Sequence, residues 1–181
     1  MEYIRAFNDT MLGPIAQETR TDKTSALQSL REFGRQLGVR RGRLALGGIE
    51  LGMPLEAVEA EFGQELTVET FQDDTGLCSG EIADTPSSLR GPLQLTFDSR
   101  APDRPLLSIF VPITNASLVR EVIETIAESI PDLTLYEPSR RDVFEGREVA
   151  NPLFVLEASP QQAILVSPGE GVWITLTRCI D

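Results

Sequence analysis

The sequence contains no histidine, and that absence bears on more chemistry than any residue present. Ser-His-Asp and Cys-His systems use an imidazole to take up and return a proton near neutral pH, so neither can be assembled from this chain. Gly76-Leu77-Cys78-Ser79-Gly80 has the outline of a nucleophile elbow, but it is not bounded by a clear strand and helix. Without a general base, Cys78 reads as a loop or packed thiol. A structural zinc site takes four Cys or His ligands, and the chain offers only Cys78 and Cys179. Gly47, Gly48 and Gly52 are followed by neither Lys nor Ser/Thr in phosphate-loop order, so they read as backbone turns between a strand and a helix. Asp73-Asp74 could present oxygen ligands to a hard cation, yet the EF-hand spacing is missing and a solvated loop is the better reading. Two carboxylates alone can hydrolyse a glycoside, but nothing singles out one pair among 28 acids. No catalytic, cofactor-binding or metal-ligating residue is therefore assigned.

The distribution of charge is more informative. The net charge is −12, and it is uneven. Residues 1–43 carry eight basic and five acidic side chains, whereas between Arg43 and Arg90 there is no basic residue and ten acids run from Glu50 to Asp84. Such a stretch repels nucleic-acid backbones and anionic membranes, both of which need Lys/Arg contacts. It attracts a basic protein and speeds the encounter. Lys23 is the only lysine, so 15 of the 16 basic residues are arginine. Arg140, Arg141 and Arg147 alternate with Asp142, Glu145 and Glu148, a mixed-charge surface segment.

These side chains must be positioned by elements that the hydrophobic pattern outlines. Residues 1–43 read as a helical N-terminal region. Ile4, Phe7 and Met11 form one stripe that Gly13-Pro14 ends, and Leu27, Leu30, Phe33, Gly34 and Leu37 form a second behind Thr24 or Ser25 as N-cap. Gly38 is the expected C-cap, with Arg40, Arg41 and Arg43 just beyond it as cations favoured at a helix C-terminus. Pro54 opens a short helix with Leu55, Val58 and Phe62 on one face and Gly63 at its end. The period then changes to two: Leu66, Val68 and Thr70, then Leu93, Leu95 and Phe97, then Leu107, Ile109 and Val111 predict strands. Residues 73–91 between the first two read as a long loop, and residues 98–105 as a hairpin loop. An amphipathic helix is expected from about 117 to 130, with Val119, Val122, Ile123, Ile126 and Ile130 inward and Pro131 as its stop. Strands follow over 133–136, 153–157, 163–166 and 172–177, and Trp173, which alternates with Ile174, reads as core rather than a ligand platform. Single helices followed by runs of strands favour the α+β class, with a mainly antiparallel sheet covered by helices. The expected organisation is a helical region over 1–43 and an α+β domain over 44–181, divisible into two weakly similar halves, 44–114 and 115–181.

The segment Gly48-Ile49-Glu50-Leu51-Gly52-Met53-Pro54-Leu55-Glu56-Ala57-Val58-Glu59-Ala60-Glu61-Phe62-Gly63 resembles the opening of SmpA/OmlA-type outer-membrane assembly lipoproteins and the repeats of β-lactamase inhibitory proteins. Shared features are an isoleucine, a Gly-Met pair, a helix with a central valine and a closing glycine. Pro54 and Ala57 stand where that family places a Ser/Thr cap and the Gln/Glu that completes a capping box. Some bacterial proteins of this type act as immunity proteins beside secreted toxins, which is what the resemblance implies here.

No run of ~20 apolar residues is present to span a bilayer. The first residues lack a basic stretch followed by an apolar one, so no secretory signal is expected and a cytoplasmic location with reduced thiols is. The expected function is binding without catalysis or cofactor. It is most concretely that of an immunity protein that covers a basic toxin with Glu56, Glu59, Glu61, Asp73, Asp74, Glu81 and Asp84. The other readings are a secretion chaperone holding an effector segment on a sheet edge or in an apolar groove, and an enzyme using carboxylates, arginine or a bound metal.

Overall fold

The computed structural model describes residues 23–72, 79–85, 92–113, 116–136, 154–168 and 171–178. The expected helix around Ile4, Phe7 and Met11 lies outside them, as do Asp73, Asp74, Cys78, Cys179 and the mixed-charge segment around Arg140.

Helix α1 (Lys23–Gln36) buries Ala26, Leu30 and Phe33 and is followed directly by strands β1 (Leu37–Arg40) and β2 (Arg43–Leu46). The expected helix end at Gly38, with Arg40, Arg41 and Arg43 as cations just beyond it, is therefore corrected, as is the reading of residues 1–43 as wholly helical. Leu37 opens a strand, Gly38 lies within it, and Arg40 pairs across a tight hairpin with Arg43. The two loop residues, Arg41 (φ 51°) and Gly42 (φ 75°), both have positive φ, the conformation of the two-residue hairpin turn that matches strand twist. A short strand β3 (Ile49–Glu50) completes a three-stranded sheet of order β1-β2-β3. Helix α2 (Leu55–Phe62) follows Pro54 and ends at Gly63 in the left-handed conformation (φ 66°), as its composition predicts. Backbone hydrogen bonds from Gly52 N to Leu106 O (2.7 Å) and from Leu106 N to Met53 O (2.8 Å) fix where α2 starts.

The second sheet has eight strands, all antiparallel: β4 (Glu69–Gln72), β5 (Ser79–Thr85), β6 (Leu93–Phe97), β7 (Leu106–Ile113), β8 (Thr134–Tyr136), β9 (Phe154–Ser159), β10 (Gln162–Pro168) and β11 (Val172–Arg178). Helix α3 (Val119–Ser129), entered through a 3-10 turn at Ala116–Leu118, separates β7 from β8. The order β4-β5-β6-β7-β11-β10-β9-β8 is two four-stranded meanders joined where β7 pairs with β11. Each meander follows one helix, α2 or α3. The chain is thus α+β, with a mainly antiparallel sheet and helices over it. Two expectations for the strands change. Leu66 and Val68 precede β4 rather than forming it, and the span read as one long loop contains β5.

Alternation assigns the two faces of the large sheet. One face carries Ala83, Leu95, Ile109, Leu176, Ile164 and Leu156 in a single cross-strand row, with Leu93, Val111, Ile174 and Val166 in the next. These residues join Leu30 and Phe33 of α1, Leu55 and Val58 of α2, and Val122 and Ile126 of α3 in one buried core. All three described helices therefore cover the same face.

The closest helix contact is at Gly34. Ser129 Oγ donates to Gly34 O (3.0 Å) as well as to Thr125 O (2.8 Å). A Cβ on Gly34 would lie 2.6 Å from Thr125 Cγ2, a methyl whose β-branched side chain has little freedom to turn away. Alanine is about 1 kcal/mol better than glycine inside a helix, whereas overpacking costs about 1–3 kcal/mol. Gly34→Ala alone should therefore lower the midpoint of chemical denaturation. Combined with Thr125→Ser, which removes the methyl and keeps the hydroxyl that donates to Glu121 O, the same change should raise it. Loss of stability in both backgrounds would show that the helices do not meet at this glycine.

Candidate functional site

The described acids of the expected docking set occupy three places. Glu56 and Glu61 are exposed on α2, and Glu65 is exposed just past its end. Asp103 adds a fourth exposed carboxylate close by, since its carbonyl accepts from Leu55 N (3.2 Å) at the start of the helix. Glu59 is half-buried and supports the fold instead. Its Oε1 accepts the N–H of Leu66 (3.0 Å), which holds that leucine in the core. The carboxylate of Glu61 lies over Gly48 and fills the space a side chain there would need. Two acids thus stabilise the chain's own turns while their neighbours face solvent.

Glu81 and Asp84 do not join this group. Both are on β5, but alternation sends them to opposite faces. Glu81 shares the helix-covered face with Ala83 and accepts from Arg104 Nη1 (3.3 Å), forming an ion pair across the β6–β7 loop. Asp84 is exposed on the other face, where its Oδ1 accepts from Gln94 Nε2 (3.4 Å). Two of the seven acids, Asp73 and Asp74, lie outside the described residues. The structure therefore carries Glu56, Glu61 and Glu65 on or just past α2, ties the backbone of Asp103 to the start of that helix, and places Glu81 and Asp84 on a different element.

The acids on α2 sit badly with the helix itself. Glu59 and Glu61 lie in its last turn, where the partial negative charge of the helix C-terminus disfavours carboxylates, and no basic residue occupies that turn. Glu56, in the first turn, is at the favourable end. A negative field consequently builds up around the C-terminal half of α2 and extends to Glu65.

The face of the large sheet opposite the helices holds a second set of polar groups. Thr96, Ser108 and Thr177 form a cross-strand row on β6, β7 and β11, with Gln94, Phe110 and Thr175 in the row beside it. Phe110 is stacked on Trp173 at 5.5 Å between ring centroids and 20° between planes. Trp173 alternates with Ile174 as the sequence indicates, but it is half-buried on this face and not part of the helix-side core, which corrects its reading as a core residue. Thr96 and Ser108 are buried, and their hydroxyl oxygens, with Gln94 Oε1, have no hydrogen-bond partner among the described residues. A period-two pattern marks these positions only as the polar half of the strands. The directly paired Thr96 and Ser108 become evident as neighbours only once the β6–β7 register is known.

Comparison with family models, with curated proteins and with solved structures finds no match for this chain. Among the described residues, no three His, Cys, Asp or Glu side chains gather in a way that could hold a metal ion. Nor, among them, is any helix long and apolar enough to cross a membrane.

Two outcomes are expected here. An unsatisfied buried hydroxyl costs about 1–3 kcal/mol, and valine matches threonine in shape, so Thr96→Val should leave the thermal midpoint unchanged or raise it. A clear fall would reveal a partner for that hydroxyl. Asp98, at the start of the β6–β7 loop, accepts Arg100 N (2.9 Å) and Nε (3.0 Å) at Oδ1 and Nη2 (3.2 Å) at Oδ2. The Arg100 side-chain hydrogen bonds hold its pKa below the ordinary 3.8 against the opposing effect of burial. Its contribution to stability is present above the unfolded value and is lost as pH falls through the folded one. NMR titration should place Asp98 below 3.8 in the native chain and move it upward in Arg100→Ala.

Proposed function

We propose that this chain is a cytosolic protein-interaction module whose docking surface is the acidic surface formed by α2 and its neighbours, and that it acts as an immunity protein neutralising a basic toxin. The carrying observation is the placement of exposed Glu56, Glu61 and Glu65 on and just past α2, within a stretch that has no basic residue between Arg43 and Arg90, with exposed Asp103 bonded through its carbonyl to the start of that helix. Carboxylates near the C-terminal half of a helix weaken the isolated fold, and a cationic partner would offset that cost. The resemblance at residues 48–63 supplies the immunity reading, because it falls on the turn and helix that present these acids. Glu59 and the Glu61–Gly48 contact support the surface from beneath, and Glu81 and Asp84 lie outside it.

In this reading charge sets the rate of encounter and direction of approach, while a few apolar anchors at the interface supply most of the affinity. The experiment uses the product of the gene adjacent to this one as the candidate toxin. Wild-type chain should bind it and abolish its toxicity on co-expression. Association should slow steeply between about 0.05 and about 0.5 M salt, as expected for exposed charges. The double change Glu56→Lys, Glu65→Lys, which leaves the Glu61–Gly48 contact in place, should cut the association rate by about tenfold with the fold intact. An association rate insensitive both to salt and to these reversals would refute docking through α2.

A further inference from the structure

We propose that the tip of the β1–β2 hairpin and the end of β11 together form a binding site for a phosphate-type dianion. This site goes beyond the acidic docking surface and lies on different residues. Arg40 and Arg43 stand directly opposite one another in the hairpin, and Arg41 occupies the turn between them. All three are exposed. Like charges placed directly across a strand pair are destabilising, and a non-glycine residue at φ 51° carries a further backbone cost.

The hairpin is not left free to spread these charges apart. Gln162 clasps it to the large sheet: its Oε1 accepts Leu44 N (2.6 Å) and its Nε2 donates to Gly42 O (2.9 Å). Gln162 is itself paired across β10–β11 with Arg178, so the clasp carries Arg43 up to Arg178. A methyl group on Gly52 would lie 3.3 Å from Arg43 Nη1 and 3.6 Å from Arg178 Nη1, which puts both guanidinium groups over one stretch of bare backbone. Among the described residues, the carboxylate that pairs with any of these four arginines is Glu50, 3.8 Å from Arg43 Nη1, and Arg40, Arg41 and Arg178 have none. Four exposed arginines on a hairpin and strand end held together through their backbones, against one carboxylate among the described residues, form a local excess of positive charge on a chain of net charge −12.

The chemistry selects the ligand. One guanidinium fork matches one carboxylate, whereas two converging forks with flanking cations match an anion with three acceptor oxygens and close to two charges. A polyanion such as a nucleic acid is disfavoured by the acids elsewhere on the molecule, so the ligand is a single phosphoryl group, free or at the end of a small molecule.

The test is NMR titration of the full chain with inorganic phosphate, phenyl phosphate and acetate, each at the same ionic strength set with chloride. Phosphate should give saturable shifts at the amides of residues 40–44 and 52 and at the Arg43 and Arg178 side-chain Nε–H groups, with acetate at least about tenfold weaker. Tighter binding of phenyl phosphate would assign the site to a phosphorylated small molecule, and equal binding to free phosphate. Arg178→Gln should weaken phosphate by about tenfold, while Arg35→Gln, exposed on α1 and paired with Glu32, should change nothing. Equal response to acetate, no saturation above chloride, or unchanged affinity in Arg43→Gln/Arg178→Gln would overturn the proposal. The acetate comparison, made on the unaltered chain, decides the matter even if a variant fails to fold. Binding of phosphate with no effect of the α2 charge reversals would also separate this site from the docking surface.

Discussion

The pairing of β7 with β11 is the contact on which the architecture rests. Six residue pairs, from Val172 opposite Ile113 to Thr177 opposite Ser108, join two meanders that have no other strand-to-strand link among the described residues. Both strands are nearly continuous apolar or β-branched runs, and β7 is buried along most of its length on both faces. On the helix side Ile109, Val111, Ile174 and Leu176 are fully buried, and on the other side Phe110, Thr175 and Trp173 pack together. Burial of this kind is worth about 25 cal/mol per Å² of apolar surface removed from water, so the centre of the sheet is where the stability concentrates. Helices α1 and α3 then close over the junction, and their contact at Gly34 and Ser129 fixes how near they come. The elements that carry exposed charge, α2 and the β1–β2 hairpin, are attached around this centre and can bear unfavourable electrostatics because it does not depend on them.

That division explains what can be read from the residues alone. Strands β6, β7, β10 and β11 and helices α2 and α3 are built from strong apolar periods with Pro and Gly at their ends, and all follow the expected pattern within a residue or two. Strand β5 is hidden because Ser-Gly-Glu-Ile-Ala-Asp-Thr offers only Ala83 and Thr85 as buried core-facing side chains. Its strand conformation comes from pairing with β4 and β6, a tertiary effect that local propensity does not contain. The β1–β2 hairpin is hidden for a different reason. Leu37 falls on the apolar stripe of α1 and could continue the helix, and Arg-Gly is a weaker turn signal than Asn-Gly. The chain leaves the helix at Gln36 because Leu37 to Arg40 can pair with Arg43 to Leu46 and bury Leu44, Ala45 and Leu46.

The proposed docking surface is legible to a smaller degree. Counting acids along the chain locates α2 correctly as an acidic element, since consecutive helical residues stay near one another. It fails for Glu81 and Asp84, because a strand sends residues three apart to opposite faces and linear charge density ignores that. The arginine cluster reads as a helix C-terminus in the sequence for the same reason that its hairpin is hidden. Arg178 cannot be grouped with Arg43 from their positions in the chain; the Gln162 clasp is what brings them together.

The edges of the large sheet bear on how a protein partner can approach. Among the described residues, strands β4 and β8 are four and three residues long, and there they offer few free backbone groups to an added strand. Recognition by strand addition draws its affinity from main-chain hydrogen bonds, and edges this short supply too few of them to hold an extended segment firmly. Helix α2, by contrast, is a rigid element tied to β7 by backbone hydrogen bonds on either side of Met53, and its exposed acids move with the sheet. A surface held in this way keeps its charges in fixed positions without ordering on contact, which spares the partner complex the entropy of arranging them. A docking surface on α2, as proposed above, would thus present its carboxylates in place rather than order them on contact.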